Sequence, residues 1–148
     1  MSPDRTSPSP AALADQLRPV LLRLSRELRR EAQSLGVTGG QVALLIQIKR
    51  DPGITASELA ERERMSAPGM SGHVARLENA KLIERARAAD RRRIGLTLTP
   101  TGDKILASVR KRRTAWLAGH LKGLSEAERE AIADALPALE KLLETPAR

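Results

Sequence analysis

The sequence predicts a mainly α-helical fold with one small β-hairpin, and three observations support that class. The 148 residues include one Trp and no Phe or Tyr, so the core must be built from aliphatic side chains. Leu-rich sequences with few β-branched residues favour helices, and here Leu and Ile recur at helical spacings in several segments. Two short segments that flank an Arg-rich turn, residues 82–87 and 94–99, have the pattern of paired strands instead.

The N-terminal part contains a tail and a long amphipathic helix. Residues 1–12 are rich in Pro and Ser and are predicted to be disordered. The helix is predicted over residues 13–37, because Leu recurs at spacings of three and four along one face. Pro19 lies inside this pattern, so it either kinks the helix or marks its true start. The apolar stripe consists of Leu13, Leu17, Leu21, Leu24 and Leu28.

Three later helices begin with a capping box, in which a Ser or Thr is followed three residues later by Glu or Gln. The pairs are Thr38 with Gln41, Thr55 with Glu58, and Ser125 with Glu128. The first of these helices is apolar on more than one side and is therefore predicted to be central and buried. The last of them carries a stripe of Ile and Leu and follows a long helix that begins near Pro100.

Another short helix follows the one that Thr55 opens. Met65 and Ser66 form the turn between them, and Ser66 is a natural N-cap for the new helix. The buried stripe of this helix is predicted to be Met70, Val74 and Leu77. Residues 38–102 therefore have the order of a winged helix-turn-helix domain, with a pair of helices followed by a basic hairpin.

The composition excludes several classes of function. The formal net charge of +8 favours a polyanionic partner, because clustered Lys and Arg attract phosphates and release their counterions. The chain contains no Cys, which excludes disulfides, thiolate metal sites and thiol-based redox sensing. Two separated His residues and no phosphate-binding loop indicate no enzyme, no cofactor and no metal site. No apolar run is long enough to span a membrane, so a soluble cytoplasmic protein is predicted.

The winged helix-turn-helix pattern predicts double-stranded DNA as the partner. The second helix of such a motif enters the major groove, where its N-terminal side chains reach base edges. This helix offers few long side chains, so DNA shape and phosphate contacts are expected to supply much of the affinity. The candidate base-reading residues are Ser66, Ala67, Pro68, Ser71 and Arg76, and the candidate phosphate contacts are Thr55 and Ser57.

The turn between the two strands is predicted to be a second DNA-binding element, the wing. Its tip carries Arg91, Arg92 and Arg93 side by side. An Arg inserted into an A·T-rich minor groove meets the most negative potential of the duplex. Asp90 would repel DNA unless it were paired, so it is expected to hold a neighbouring Arg in place. The alternative is a solvated basic turn without a ligand.

These segments resemble the MarR family of bacterial transcriptional regulators over residues 13–143. The most specific part is Asp90-Arg91-Arg92 followed by Leu98-Thr99 and Gly102, which is similar to the wing signature of that family, Asp-x-Arg and then Leu-Thr-x-x-Gly. The resemblance implies that Arg92 reads the minor groove and that Asp90 orients it.

Three positions depart from the pattern of that family. Lys81 stands where Gly is usual, so the turn before the wing is expected to be tight or strained. His73 stands where an apolar residue is usual, at the edge of the buried stripe, and is expected to be a hydrogen-bonded histidine at the edge of the core. Gly72 stands where a polar or basic base reader is common.

The resemblance further implies a homodimer, with dimerisation helices over residues 13–37 and 103–146 around a DNA-binding domain of residues 38–102. The apolar stripes of the terminal helices agree, because a lone winged domain could not bury them. A two-fold dimer places its recognition helices about 34–36 Å apart, one turn of DNA, and binds a palindrome. The protein is therefore predicted to be a sequence-specific regulator that represses transcription from a palindromic operator.

A small ligand is the remaining partner that the resemblance implies, since this family often binds phenolic or other anionic molecules. The candidate residues for its carboxylate are Arg23, Arg26, Arg110 and Arg113. The basic run 110–113 has two other interpretations, a solvated helix face and a contact with flanking DNA. The competing function is a winged-helix module for protein–protein contact with weak or lost DNA binding, which the small residues of the recognition helix would favour.

Arg92→Ala is expected to weaken operator binding substantially while the protein stays folded, because the side chain is predicted to be exposed in the free protein. Fluorescence anisotropy with an A·T-flanked duplex measures the affinity, and circular dichroism controls for folding. An unchanged affinity would contradict the assignment of Arg92 to the minor groove.

Overall fold

The computed structural model describes residues 6–87 and 92–144, which form six helices and two strands. In chain order the elements are α1 (Pro10–Gln33), α2 (Gly39–Arg50), α3 (Ala56–Arg62), α4 (Ala67–Asn79), β1 (Ile83–Arg87), β2 (Ile94–Leu98), α5 (Pro100–Leu121) and α6 (Glu126–Glu144). The predicted class, mainly α-helical with one small hairpin, is confirmed.

Helix α1 begins three residues earlier than predicted and continues through Pro19. Ser9 is its N-cap, since Ser9 Oγ accepts a hydrogen bond of 3.2 Å from the backbone N–H of Ala12, and Pro10 occupies the first turn. The tail predicted over residues 1–12 is therefore too long at its C-terminal end. The periodicity of Leu residues marks the apolar face of a helix, whereas its start is set by the capping residue.

All three predicted capping boxes are present. Thr38 Oγ1 accepts a hydrogen bond of 3.1 Å from the N–H of Gln41, and the Thr38 N–H donates to Gln41 Oε1 at 2.9 Å. The corresponding distances are 3.1 and 3.3 Å for Thr55 with Glu58, and 3.1 and 2.8 Å for Ser125 with Glu128. Each box satisfies two backbone N–H donors at the start of its helix, so these starts follow from local sequence alone.

The residues up to Arg113 form one compact unit, and this unit contains the apolar core. Helix α2 lies in its centre as predicted, with Leu45 and Ile48 completely buried. Helices α3 and α4 and strand β2 pack around the same core. The other large side chains that are fully buried there are Ile54, Leu59, Met70, Leu77 and Leu96.

Helix α1 leaves most of its predicted apolar stripe in solvent in the single chain. Leu13, Leu21 and Leu24 are each 40–48 % exposed, and Leu22 is 60 % exposed. The C-terminal part of the helix does reach the core, where Ala32 is fully buried. Most of the stripe is therefore exposed in the single chain.

The residues from Thr114 onward form the second compact unit. Helix α6 buries none of its residues. Its exposed large apolar side chains are Ile132, Leu136, Leu142 and Leu143. In the same unit the ring of His120 stacks on Trp116 with centroids 3.9 Å apart, and His120 Nδ1–H donates to the Trp116 carbonyl at 2.8 Å.

Strands β1 and β2 pair antiparallel in the register Ile83 with Leu98, Arg85 with Leu96, and Arg87 with Ile94. The loop after α2 forms a further antiparallel β-bridge with β2, between Ile54 and Leu96, which the sequence did not predict. Leu96 N–H donates to the carbonyl of Ile54 at 2.8 Å, and the N–H of Gly53 donates to the carbonyl of Leu96 at 2.9 Å. The hairpin is therefore attached through β2 to the end of α2.

Lys81 has the strained conformation expected where a Gly is usual. Its φ is +62°, in the left-handed region that disfavours residues with a Cβ atom. The turn is held by a hydrogen bond of 2.9 Å from the Lys81 N–H to the carbonyl of Glu78 and by one of 2.6 Å from Thr99 Oγ1 to the carbonyl of Lys81. The surrounding backbone bonds therefore impose this conformation on a residue that does not favour it.

Lys81→Gly is expected to raise the free energy of unfolding by roughly 0.5–1 kcal/mol. The left-handed conformation costs an L-residue about 1–2 kcal/mol, and part of that gain is offset by the flexibility of Gly in the unfolded chain. Urea denaturation at a fixed protein concentration measures the change. Lys104→Gly, at an exposed position inside α5, is the matched control and should lose about 1 kcal/mol. Equal losses in both variants would contradict the strain.

Candidate nucleic-acid interface

Helices α3 and α4 are joined by a tight turn and expose the face that was predicted to read DNA. The turn closes with a hydrogen bond of 2.9 Å from the N–H of Met65 to the carbonyl of Ala60. Helix α4 buries the predicted stripe completely, with Met70, Val74 and Leu77 at 0 % exposure. Because those side chains point into the core, the N-terminal half of α4 presents its other face to solvent. The exposed candidates on it are Ser66, Ala67, Pro68 and Ser71.

The first turn of α4 offers N–H donors and a hydroxyl. Ser66 Oγ accepts a hydrogen bond of 3.2 Å from the N–H of Gly69, so Ser66 is the N-cap as predicted. Its hydroxyl proton remains a possible donor to a phosphate oxygen. Thr55 caps α3 in the same way, and Ser57 is exposed on the first turn of that helix. The roles of these three hydroxyl groups in phosphate contact stay predictions.

Arg76, the only long side chain among the candidate base readers of α4, is held by a neighbour. Its Nη2 lies 3.0 Å from Nδ1 of His73, which is half-buried at the edge of the core stripe. Since a guanidinium only donates, the His73 ring accepts through Nδ1. The expectation of a hydrogen-bonded histidine at the edge of the core is confirmed, and its partner orients Arg76.

The wing changes from apolar to basic along one face. Residues directly opposite each other on paired strands share a face, and so do alternate residues of one strand. Along β1 this face changes from the buried Ile83 to the exposed Arg85 and Arg87. Along β2 it stays apolar, with Leu98, the buried Leu96 and Ile94 directly opposite those three residues. Ile94, in the last described strand pair, is 54 % exposed.

The tip of the wing lies partly outside the described residues. Asp90 and Arg91 fall in that gap, so the pairing of Asp90 with an Arg stays a prediction. Arg92 and Arg93 are described, and both are exposed. Arg92 is therefore exposed, as predicted.

Two ion pairs join the wing to the helix-turn-helix, and the sequence did not indicate either. Arg85 Nε lies 2.6 Å from Glu78 Oε1 at the C-terminal end of α4. Arg93 Nη2 pairs with Glu58 Oε1 on the first turn of α3. Their partners are 7 and 35 positions apart in the chain, and no local pattern relates residues at those separations.

Close backbone packing fixes the base of the wing. A Cβ atom on Gly95 would lie 2.5 Å from the carbonyl oxygen of Gly53, and one on Gly102 would lie 2.1 Å from that of Leu82. Any other residue would push β2 away from the loop after α2, or α5 away from the start of β1. The Gly of the Leu-Thr-x-x-Gly sequence is therefore needed for this packing.

The candidate ligand arginines differ in their surroundings. Arg113 is half-buried, and its Nε donates to the carbonyl of Leu28 at 3.0 Å. Desolvation by burial, and then the charge of Arg29, lower the pKa of Arg113 below its ordinary value. Arg23, Arg26 and Arg110 are exposed, and over residues 6–87 and 92–144 the structure shows no contact that joins them to Arg113.

The neighbours of Arg113 were missed by sequence reasoning. Arg29 lies on α1 close enough to Arg113 for their charges to repel, and the adjacent Arg112 donates to Ser34 Oγ. Of the four arginines predicted to bind a ligand, only Arg113 belongs to this group of cations at the junction of α1 and α5, and the ligand site stays a prediction.

Within residues 6–87 and 92–144, no three His, Cys, Asp or Glu side chains are grouped so that they could hold a metal ion. Among the helices that the structure describes, none has the length and apolar character needed to cross a membrane.

The exposed start of α4 with a basic hairpin beside it defines a winged helix-turn-helix, a DNA-binding class. Comparisons with known proteins give the family. The model of the MarR family matches residues 35–94. An HTH-type transcriptional regulator of Mycobacterium tuberculosis is 31 % identical over 128 residues, which are 86 % of this chain and 90 % of that protein.

Solved structures agree with this assignment. A Pseudomonas aeruginosa protein is 32 % identical with a TM-score of 0.82, and the match covers 95 % of this chain and 99 % of that one. The structure of MarR is 30 % identical with a TM-score of 0.69, covering 87 % and 98 %. The chain belongs to the MarR family of transcriptional regulators, as its wing sequence predicted.

Proposed function

We propose that this protein is a homodimeric repressor that binds a palindromic DNA operator through its winged helix-turn-helix and leaves it when a small anionic ligand binds. The observation that carries the proposal is the exposed N-terminal half of α4 next to a hairpin whose outer part is basic. A relative from Bacillus subtilis, named the HTH-type transcriptional repressor MdtR, is 32 % identical over 113 residues, 76 % of this chain and 73 % of that protein.

The chemistry of the surface supports DNA as the ligand. The first turn of α4 presents backbone N–H groups and the positive end of a helix dipole, which favour phosphate. The wing adds guanidinium groups from Arg85, Arg87, Arg92 and Arg93, and the whole chain carries a net charge of +8. Neutralised phosphates release counterions, so the binding should depend steeply on salt.

The exposed apolar stripes support a homodimer. Monomeric proteins rarely leave contiguous apolar patches of this kind in water, and a second copy of the chain offers the same stripes in return. Helix α1 supplies Leu13, Val20 and Leu21, and helix α6 supplies Ile132 and Leu136. A two-fold dimer also provides the two recognition helices that a palindrome needs.

The group of cations around Arg113 supports an anionic ligand. A half-buried guanidinium next to Arg29 is unfavourable, which is why its pKa is lowered. A carboxylate between the two would relieve their repulsion and form a charge-assisted hydrogen bond. Binding at the junction of α1 and α5 would act on helices that lie outside the helix-turn-helix, and can therefore change the spacing of the two DNA-binding domains in a dimer.

Leu136→Glu is expected to produce a monomer that binds operator DNA at least about tenfold more weakly, because the charge cannot be buried and one half-site is lost. Light scattering after gel filtration measures the mass, and fluorescence anisotropy across a salt series measures binding to a duplex enriched by the wild type from a random library. Ala138→Glu, two residues away and so almost opposite on the helix, is the matched control.

A wild-type protein that is monomeric would contradict the dimer. A wild type that enriches no duplex and shows no salt-sensitive binding would instead favour the alternative, a winged-helix module for contact with another protein.

Arg113→Met is expected to weaken the binding of aromatic acids about tenfold or more, since it removes a charge-assisted hydrogen bond. Isothermal titration calorimetry against a panel of aromatic acids measures this, with Arg50→Met, at an exposed end of α2, as the control. If the wild type binds no member of the panel, the ligand part of the proposal fails and the DNA-binding part is unaffected.

A further inference from the structure

Each strand of the wing is tied to a different helix of the helix-turn-helix. On β1, Arg85 pairs with Glu78, in the last turn of α4. Directly before β2, Arg93 pairs with Glu58, in the first turn of α3. The first pair lies midway along the hairpin and the second lies beyond its last described strand pair, Arg87 with Ile94.

This arrangement restricts the wing in two ways. A hairpin attached only at its base is free to swing about that base and to twist about its own long axis. One link to α4 near the middle and another to α3 towards the tip oppose both motions. The wing and the recognition helix are then held as one unit, so that a groove contact of one fixes the position of the other.

Glu58 is the better of the two carboxylates to test, because it has a second contact that holds it in place. Its Oε2 accepts a hydrogen bond of 3.3 Å from the N–H of Thr55, while its Oε1 pairs with Arg93. The carboxylate is therefore held in place by the start of α3 before the wing engages it. An acceptor that is fixed in this way can set the direction of the Arg93 side chain.

The expected contribution of this pair to stability is small. The side chains of Glu58 and Arg93 are 37 % and 48 % exposed, and exposed ion pairs contribute only about 0–1 kcal/mol. A carboxylate near a DNA-binding face also opposes the binding of phosphate. The two acidic side chains that pair with the wing, Glu58 and Glu78, therefore reduce the general affinity for DNA and add little to stability.

We propose that Glu58 is a positioning residue for DNA recognition: its ion pair with Arg93 sets the wing relative to α3 and α4, and so converts general attraction to DNA into discrimination between sequences. This inference rests on the proposed function and adds the residue that determines specificity. Glu78 has the same positioning role for the other strand, β1, through its ion pair with Arg85.

A positioning role for Glu58 and a purely electrostatic role predict different effects of the Glu58→Gln substitution. Glu58→Gln keeps the capping box, since Gln also accepts the bond from Thr55, but it removes the charge. Loss of a negative charge alone should tighten the binding of every duplex equally. Loss of positioning should tighten nonspecific binding, release Arg93 to contact a phosphate, and weaken discrimination.

The experiment compares the dissociation constants of full-length wild type and Glu58→Gln for two probes. One is the duplex of about 30 base pairs, enough for two half-sites, that the wild type enriches from a random library; the other is the same duplex scrambled. Discrimination is expected to fall about fivefold or more, the size of losing the readout of one base pair. The salt dependence on the scrambled probe is expected to steepen by about one released counterion.

Matched controls separate the positioning role from charge and from folding. Glu61→Gln removes the same charge from an exposed position of α3 and is expected to keep wild-type discrimination. Adding Glu58→Gln to Arg93→Gln is expected to change discrimination no further, because the two residues act as one pair. Thermal melts followed by circular dichroism show whether each variant is folded.

Two outcomes overturn the inference in different ways. Wild-type discrimination in folded Glu58→Gln, or an equal loss in Glu61→Gln, would show that the ion pair does not position the wing and would leave the proposed function intact. A wild type with no salt-sensitive binding to any duplex would overturn the proposed function, and this inference with it.

Discussion

The attachment of strand β2 to the loop after α2 is the constraint on which the DNA-binding surface depends. Leu96 is fully buried and exchanges backbone hydrogen bonds with Gly53 and Ile54, so one residue joins the wing, the central helix and the core. The contact is possible because Gly95 has no side chain and the backbone of Gly53 can approach it. Everything further out on the wing is placed by this junction, because an isolated two-stranded hairpin is only marginally stable.

Apolar packing stabilises this fold, whereas the ion pairs mainly orient the wing. Each fully buried Met70, Val74 or Leu77 side chain contributes about 1.5–3 kcal/mol, whereas a half-exposed ion pair contributes about 0–1 kcal/mol. The core therefore holds α4 in place. The ion pairs of Glu58 and Glu78 orient a hairpin that backbone hydrogen bonds already attach to the domain. The same division applies at Arg113, where packing places a cation in a half-buried position beside Arg29 and so lowers its pKa.

The prediction succeeded where structure follows from neighbours in the chain. The three capping boxes, the buried stripe of α4 and the two strands all rest on residues within about one turn of helix or one pair of strands. The strain at Lys81 was expected from the resemblance, because Gly is usual at that position, and the structure shows a left-handed φ of +62° there. The start of α1 was misplaced because a Leu stripe marks the apolar face of a helix and carries no information about the cap at Ser9.

The sequence by itself determined the class of fold, the MarR family and the residues that carry charge on the wing, because each depends on local spacing or on a short sequence pattern. Only the tertiary structure decided which of those charges are paired. Glu78 and Arg85 lie 7 positions apart, on either side of the turn between α4 and β1. Glu58 and Arg93 lie 35 positions apart, and their meeting depends on how β2 packs against the loop after α2. The same holds for Arg29 and Arg113, since long-range contacts follow from the packing of the core and leave no periodic pattern in the sequence.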